Sequence, residues 1–122
     1  MNNEDQWAIY VVDEVLEWIW ALDANTRKRV TETLDVLAEE GPSLGRPLVD
    51  RIRGSVLANL KELRPGTIRI LFVFDPWRSS ILLVAGDKAG QWQQWYDEAI
   101  PLAEQRYHRY LEDRAAEEDD QR

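Results

Sequence analysis

Four residues between positions 60 and 90 have side chains that could act on a phosphate: Glu62, Arg64, Arg69 and Lys88. Guanidinium and ammonium groups bind phosphate and stabilise the extra negative charge of a pentacoordinate transition state. A nearby carboxylate could manage the protons of such a reaction. The four residues could therefore support phosphoryl transfer without a metal. Basic residues on a solvent-exposed strand are the commoner finding, and the residue types alone leave both interpretations open.

Five further basic residues in or near this stretch are predicted to bind RNA. The chain as a whole is acidic, with a formal net charge of −8 over 122 residues. Residues 45–90 nevertheless contain eight basic and four acidic residues. Such a basic island can attract phosphate locally, while the acidic remainder lowers long-range attraction. The predicted RNA-binding residues are Arg46, Arg51, Arg53, Lys61 and Arg78.

Several other chemistries find no support in the sequence. The chain has no cysteine and a single histidine, His108, which excludes disulfides, thiolate nucleophiles and cysteine-based metal sites. It contains no Gly-rich nucleotide loop and no GxSxG element. The acidic pairs at residues 39–40 and 97–98 are adjacent, so their side chains diverge on a helix. We therefore predict no metal and no cofactor.

The sequence also bears on location. No apolar run is long enough to cross a membrane. The N-terminus is acidic where a signal peptide would be basic. We expect a cytoplasmic protein with no membrane partner.

The elements that must position the candidate side chains form an α+β pattern. Residues 60–64, 68–75 and 79–85 are rich in β-branched, aromatic and leucine residues, and turns at Pro65-Gly66 and residues 75–78 separate them. This pattern predicts a three-stranded antiparallel meander. In its second strand the phenylalanines alternate with Arg69, so we expect Arg69 to point outward from the core. In its first strand Glu62 and Arg64 share a face, but each face carries one leucine, so which face is buried stays open.

Helices are expected on either side of the meander in the chain. A strand over residues 7–12 precedes a helix over 13–22, with Asp13 as its N-cap. A tight break then leads to a helix over 26–40, so the two helices form an αα-hairpin. Residues 41–59 are predicted to form a long loop with a short strand near 48–52.

The C-terminal part of the chain is expected to be helical. A turn at residues 88–90 leads into this region, and Pro101 either starts a new helix or kinks the existing one. We expect one domain over residues 1–116, followed by an acidic frayed tail over residues 117–122.

Three strings of the sequence resemble the HigB branch of the RelE/ParE toxin superfamily. They are GPSLGRPLVDRIRGS, NLKELRPGTIRILFVFDP and LLVAGDKAGQWQQWYDEAIPLAEQRY, and the resemblance extends from residue 7 to about residue 111. It implies a RelE-like, microbial RNase-like fold whose curved sheet holds mRNA in the ribosomal A site. Toxins of this branch typically cut there without a metal, through attack of an mRNA 2′-hydroxyl on the adjacent phosphate.

The resemblance also implies roles for individual residues. Arg64 in LKELR and Arg69 in IRILF match phosphate-binding positions. Lys88 in GDK matches a basic residue that stabilises the transition state or the leaving group. Tyr96 lies where related toxins carry a tyrosine near the C-terminal helix. Glu62 falls where RelE itself has lysine, so it is only a candidate for the general base.

Two features depart from the family pattern. Residues 56–58 are Val-Leu-Ala, where relatives carry basic or histidine residues, and this should weaken RNA binding. The strongly acidic total is also unusual for a protein that binds the ribosome.

The function implied by the resemblance is that of a type II toxin, an mRNA interferase that cuts translated mRNA and inhibits translation. Its expected partners are the ribosome with its mRNA and a cognate antitoxin of the helix-turn-helix DNA-binding class. Two alternatives stay open. One is a ParE-like protein that inhibits a DNA topoisomerase without cutting. The other is a degenerate homologue that only binds its antitoxin.

Overall fold

Five strands and three α-helices make up the part of the chain that the computed structural model describes, residues 6–88 and 92–120. In chain order they are β1 (Ala8–Val11), α1 (Asp13–Trp20), α2 (Ala24–Glu40), β2 (Val49–Arg51), β3 (Lys61–Leu63), β4 (Ile68–Phe74), β5 (Ser79–Asp87) and α3 (Trp92–Asp120). A short 3-10 helix, Gly41–Ser43, directly follows α2. Among the described residues, no helix is long and apolar enough to cross a membrane.

The strands form one mixed sheet in the order β1-β5-β4-β3-β2. β3, β4 and β5 pair antiparallel, so the predicted meander is confirmed. The short strand expected near residues 48–52 is the edge strand β2. β1 pairs in parallel with β5 at the opposite edge, with Ala8 opposite Ser79. The strands β3 and β4, which carry Glu62 and Arg69, are therefore interior strands of the sheet.

The first helix differs from the prediction in its cap and its end, and the second differs in its start. Asp13 is the first residue of α1, and Val12 occupies the cap position without a side-chain hydrogen bond. The prediction that Asp13 caps this helix is therefore wrong, because Val12 is still extended (φ −63°, ψ 151°) where the helix begins. Asp23 does cap α2, since its carboxylate accepts a hydrogen bond from the Thr26 N–H at 3.0 Å. α2 accordingly begins two residues earlier than predicted.

Both faces of the central sheet are buried, which changes the expected environment of Arg69. Phe72 on one face and Leu71 on the other have no exposed surface. Arg69 pairs with Gly86 of β5, and the indole of Trp95 in α3 lies against Gly86. Arg69 does lie on the face opposite Phe72, as the alternation predicts. That face is covered by α3 rather than open to solvent, and the Arg69 side chain is only 12% exposed.

A β-bulge in β5 provides an attachment point for α3. The pairing of β4 with β5 shifts after Leu71, which leaves Leu83 as the extra residue. Arg106 of α3 donates a 2.8 Å hydrogen bond to the carbonyl of Leu83 and lies 3.3 Å from Glu14 of α1. A bulge leaves its extra residue without a ladder partner. The long C-terminal helix therefore binds the sheet at this position.

The helix α3 is continuous from Trp92 to Asp120, with Pro101 inside it rather than at the start of a new helix. Residues 117–120 of the predicted acidic tail belong to this helix, and the fraying of the tail stays a prediction. The predicted turn at 88–90 includes residues 89 and 90, which lie outside the described residues, as do 121 and 122. A single domain ending at residue 116 stays a prediction.

Candidate active site

A buried carboxylate forms the centre of the candidate site. Glu62 lies in the middle of β3 and pairs with Leu71 of β4. Because directly paired residues of neighbouring strands project to the same face of a sheet, both side chains point to the face that α3 covers. Glu62 is only 1% exposed. Burying a charged carboxylate is strongly unfavourable unless it is paired and hydrogen-bonded. The neighbours of Glu62 must therefore supply charge and hydrogen bonds.

Three side chains from different parts of the fold meet this carboxylate. The Nε of Arg64, just after β3, lies 2.8 Å from Oε1 of Glu62. The Nε of Arg69, in β4, lies 3.6 Å from the same oxygen. The hydroxyl of Tyr96, in α3, donates a hydrogen bond to Oε2. Both oxygens of the carboxylate are therefore occupied, and four of the five predicted catalytic residues are in contact.

The two arginines differ in how readily they could meet a ligand. Arg69 is held by its own backbone surroundings, since Nη1 donates to the carbonyls of Gly66 and Ile68 at 2.8 Å each. The Arg64 side chain is 34% exposed, and its Nη2 lies 3.3 Å from Oδ2 of Asp50. Arg69 is thus a fixed cation in the wall of the site, and Arg64 is the more accessible one.

The protonation states of the site follow from these contacts. The hydrogen bond to Glu62 raises the pKa of Arg64 above its ordinary value. Burial, and then the hydrogen bond to Glu62, raise the pKa of Tyr96 to about 12. Tyr96 is therefore a neutral phenol near pH 7. Its proton points to Glu62, and a hydrogen bond from the Trp92 side chain partly opposes the rise in pKa, so one lone pair of the phenol oxygen remains for a further hydrogen bond.

Asp50 extends the cluster beyond the set that the sequence pattern identifies. It lies in β2 directly opposite Glu62, between Arg64 and Arg46, whose Nε is 3.2 Å from Oδ1 of Asp50. The backbone N–H of Arg51, followed by the charges of these two arginines, lowers the pKa of Asp50. Asp50 reaches the site only because β2 pairs with β3 in this register. The residue spacing within the predicted long loop over 41–59 does not predict that register.

Aromatic packing fixes the position of Tyr96. The rings of Trp92 and Trp95 lie 5.0 and 5.2 Å from the Tyr96 ring, both edge-on, and the two indoles stack at 4.7 Å. Trp95 can approach the sheet because Gly86 has no side chain there. The Trp-x-x-Trp-Tyr spacing is visible in the sequence, but its role in positioning the phenol is not.

Lys88, the fifth predicted catalytic residue, lies at the rim rather than in contact with Glu62. Its backbone N–H donates to the carbonyl of Thr67 at 2.8 Å, and the residue is exposed. It follows Gly86 by two residues, and Gly86 is the cross-strand partner of Arg69. Lys88 is therefore at the end of β5 nearest to Arg69. The catalytic roles of all five residues stay predictions.

Three of the predicted RNA-binding residues lie at one edge of the sheet. Arg46, Arg51 and Arg53 border a groove of about 520 Å³ along β2. Lys61 pairs with Arg51, and strand alternation places both on the opposite face of the sheet from Glu62. The basic groove thus adjoins the candidate site at this edge of the sheet, but neither Arg51 nor Lys61 lies on the same face as Glu62.

Arg78 is separated from the other predicted RNA-binding residues. It lies in the turn between β4 and β5, with φ +61°, and its guanidinium is 5.3 Å from the centre of the Trp7 ring. Arg69 is near the other end of β4, about 17 Å from Phe74 at the usual rise per residue of a strand, and Arg78 lies beyond Phe74. The structure therefore does not bring Arg78 to the candidate site.

The composition of the site also bears on metal binding. Within residues 6–88 and 92–120, no group of three or more histidine, aspartate or glutamate side chains is arranged to hold a metal ion. The two acidic residues of the site, Asp50 and Glu62, are each engaged by arginine. The chemistry available at the site is that of cations, a phenol and a carboxylate.

The architecture is that of the RelE toxins. A chain of the archaeal RelE-RelB complex from Pyrococcus horikoshii matches with a TM-score of 0.58 at 18% identity, covering 70% of this chain and 99% of that one. A mutant of the Escherichia coli toxin RelE in the free state also matches with a TM-score of 0.58, at 15% identity, covering 79% of this chain and 96% of that one. At such low identity the likeness shows the fold alone.

Sequence similarity then shows the family. Residues 17–108 match the family described as phage derived protein Gp49-like. "Putative toxin HigB3" of Mycobacterium tuberculosis is 49% identical over 106 residues, 85% of this chain and 93% of the relative. "Putative toxin HigB2" of the same organism is 50% identical over 105 residues, 82% of this chain and 52% of the relative. The chain belongs to the Gp49-like family of HigB-type toxins in the RelE/ParE superfamily, as the resemblance implied.

Proposed function

We propose that this protein is the toxin of a type II toxin-antitoxin pair and acts as a ribosome-dependent mRNA endonuclease without a metal. One observation carries the proposal: the buried Glu62 is surrounded by Arg64, Arg69 and the hydroxyl of Tyr96. This arrangement combines two cations that suit a phosphate with a hydrogen-bonded phenol and carboxylate that suit proton transfer. Membership of the HigB-type family supports mRNA as the substrate and inhibition of translation as the result.

The reaction proposed is an internal transesterification of RNA. The 2′-oxygen of one ribose attacks the adjacent phosphorus, and the bond from phosphorus to the 5′-oxygen of the next nucleotide breaks. The products are a 2′,3′-cyclic phosphate and a free 5′-hydroxyl. Arg64 and Arg69 would bind the non-bridging oxygens, on which negative charge increases in the transition state. Lys88, at the exposed end of β5, would stabilise the leaving 5′-oxygen, which takes a proton from water to become the 5′-hydroxyl.

The burial of Glu62 determines which group can touch the substrate. Glu62 is 1% exposed and both of its oxygens are engaged, so it does not reach a 2′-hydroxyl directly. The oxygen of Tyr96 is the group that would accept the 2′-hydroxyl proton, while the proton of Tyr96 itself passes to Glu62. Glu62 thus becomes an indirect base, whereas the family resemblance made it a candidate for direct contact.

The remaining partners follow from the family and from the basic groove. The groove bordered by Arg46, Arg51 and Arg53 would hold the RNA backbone next to the reacting phosphate. An antitoxin partner is supported by the RelE-RelB complexes with the same fold. We propose a helix-turn-helix antitoxin, and a cytoplasmic location where the ribosome and mRNA are present.

Induction of the protein alone in a bacterial host tests this function. We expect growth arrest and primer-extension stops inside translated messages. Arg69→Ala and Lys88→Ala should each relieve the arrest, whereas Lys28→Ala should not, because Lys28 is 77% exposed on α2 and pairs only weakly with Glu32 at 4.0 Å. Arrest of equal strength by the Arg69 and Lys88 variants would show that the proposed site is wrong.

One observation favours a second candidate function. Arg64 is already neutralised by Asp50 and Glu62, as expected for a degenerate homologue that binds only its antitoxin. Such a protein would be harmless when induced alone, while still forming a complex with the antitoxin. A ParE-like topoisomerase inhibitor would instead block gyrase supercoiling and leave translation in vitro unchanged, so the two assays run side by side separate all three functions.

A further inference from the structure

A cavity of about 350 Å³ opens beside Tyr96, between α3 and the segment that follows β2. Its lining includes Tyr96, Ile100 and Pro101 from the helix and Arg53 from the segment. The volume falls within the range of about 300–1,000 Å³ that is usual for small-molecule sites. Tyr96 therefore belongs to both the candidate site and the cavity. Its hydroxyl donates a hydrogen bond to Glu62, and the residue also forms part of the cavity wall.

The cavity wall opposite α3, which includes Val56, is held in place by hydrogen bonds. Glu104 of α3 accepts hydrogen bonds from the Ser55 hydroxyl at 2.7 Å and from the Val56 N–H at 2.9 Å through the same carboxylate oxygen. The Leu57 N–H in turn donates to the Ser55 hydroxyl at 3.0 Å. These contacts fix residues 55–57 against the helix, so the cavity has a set width before any ligand binds.

The helix side of the cavity combines apolar surface with hydrogen-bond acceptors. Ile100 and Pro101 supply the apolar surface. Pro101 has no N–H, so it cannot donate to the carbonyl of Asp97 four residues earlier, as another residue in a helix would. Asp97 itself also lines the cavity, and its side chain is a carboxylate, which accepts hydrogen bonds. Two acceptors of one residue thus lie beside an apolar surface.

We propose that this cavity binds the nucleobase next to the reacting phosphate, and that it prefers a base with an exocyclic amino group. The inference rests on the proposed function, because the phosphate on Arg64 and Arg69 is what would bring RNA to Tyr96. A base joined to that phosphate through one ribose would enter the adjoining cavity. There its flat apolar body meets Ile100, and its amino group donates to Asp97. Adenine, cytosine and guanine carry such a group, and uracil does not.

The distribution of cuts along a translated reporter mRNA tests the subsite. Wild type should cut where an amino-bearing base occupies the position next to the cut. Asp97→Asn removes the charged acceptor and should reduce the preference over uracil about tenfold, as expected for loss of a hydrogen bond to a charged group. Asp113→Asn is the matched control, because it makes the same change at an exposed position further along α3 and away from the cavity.

A second variant tests the shape of the cavity without touching the core. Val56 is 86% exposed at the cavity, so Val56→Trp adds bulk at the entrance and should shift the cut sites without lowering stability. Unchanged cut sites in both variants, with cutting retained, would overturn the subsite alone. Loss of antitoxin binding with unchanged cut sites would also overturn it, since the cavity would then be a protein contact. A wild type that arrests growth without cutting mRNA would refute the proposed function, and the subsite with it.

Discussion

The hydrogen bond between Tyr96 and Glu62 should couple the two residues in both stability and catalysis. Tyr96→Phe leaves Oε2 of Glu62 without its hydroxyl donor in a position that is 1% exposed. An unsatisfied buried acceptor destabilises a protein by about 1–3 kcal/mol. Because Oε1 keeps its 2.8 Å contact with Arg64, we expect a loss of about 2 kcal/mol in the free energy of unfolding.

Glu62→Gln keeps the shape of the side chain and removes its charge. Breaking a buried ion pair typically destabilises by about 3–5 kcal/mol. In this variant Arg64 keeps its contact with Asp50, and Arg69 keeps its hydrogen bonds to two backbone carbonyls. We therefore expect a smaller loss, about 2–3 kcal/mol in the free energy of unfolding. The double variant should lose about 1 kcal/mol less than the sum of the single variants, because Glu62→Gln removes the charged acceptor of the hydrogen bond that Tyr96→Phe removes. Urea unfolding of the four proteins measures this coupling.

The same four proteins test the proton path. Each single variant should cut ribosome-bound mRNA about 100-fold more slowly or worse, the usual contribution of a positioned acid or base. If Tyr96 passes its proton to Glu62, the double variant should be no slower than the slower single variant. Rates that fall by the product of the two single effects would refute the transfer. Unfolding energies that add without coupling would refute the hydrogen bond on which it depends.

Alkaline pH gives an independent measure of this contact. The pKa of Tyr96 is raised from 10.0 to about 12 in the folded protein, so the folded state holds the phenol proton more tightly than the unfolded state. The resulting stability is complete below pH 10 and is lost as the pH rises through 12. The stability difference between wild type and Tyr96→Phe should therefore stay constant below pH 10 and shrink above it. A difference that is the same at all alkaline pH values would contradict the raised pKa.

Two further predictions concern the attachment of α3. Gly86→Ala would place a Cβ 2.7 Å from Cε2 of Trp95, so we expect thermal unfolding to show a loss of about 1–3 kcal/mol in stability, together with slower cutting. The control is Gly45→Ala, whose Cβ meets nothing within 4 Å and which should change neither stability nor cutting. Equal effects of the two changes would contradict the packing of Trp95 on Gly86. A hydrogen bond from Arg109 lowers the pKa of Glu14 from 4.5 to about 2, so wild type should lose its advantage over Glu14→Gln in acid unfolding as the pH falls from 4.5 to 2. That stability difference should be below about 1 kcal/mol, because the Glu14 side chain is 38% exposed and its charge is screened by solvent. A difference that persists at pH 2 would contradict the lowered pKa of Glu14.

The meander was predictable from the sequence because its signals are local. Pro65 and Gly66 mark one turn, and residues 75–78 mark the other, with Arg78 adopting the positive φ that such turns accept. The alternation in β4 also placed Arg69 correctly relative to the phenylalanines. It could not predict that Arg69 would be 12% exposed, because the covering helix α3 comes from residues far along the chain.

The centre of the candidate site was less predictable, for a physical reason. The predicted strand over residues 60–64 has one leucine on each face, so its periodicity does not choose which face carries Glu62. The choice is made by pairing with β4 and by the hydroxyl of Tyr96, which is 34 residues away in sequence. Asp50 depends in the same way on the register of a three-residue strand. Contacts between distant segments, rather than local preference, assemble the site.

The internal pairing of the arginines gives a physical reason for the proposed dependence on the ribosome. A phosphate that approaches Arg64 must compete with Asp50 and Glu62, which already hold it at 3.3 and 2.8 Å. The chain also carries a net charge of −8, so long-range attraction of free RNA is weak. Under the proposed function, the ribosome overcomes both effects by holding the mRNA in place, which replaces a bimolecular encounter with a local one. Asp50→Asn should therefore increase cutting of free RNA more than cutting on the ribosome, and an equal increase in both would contradict this account.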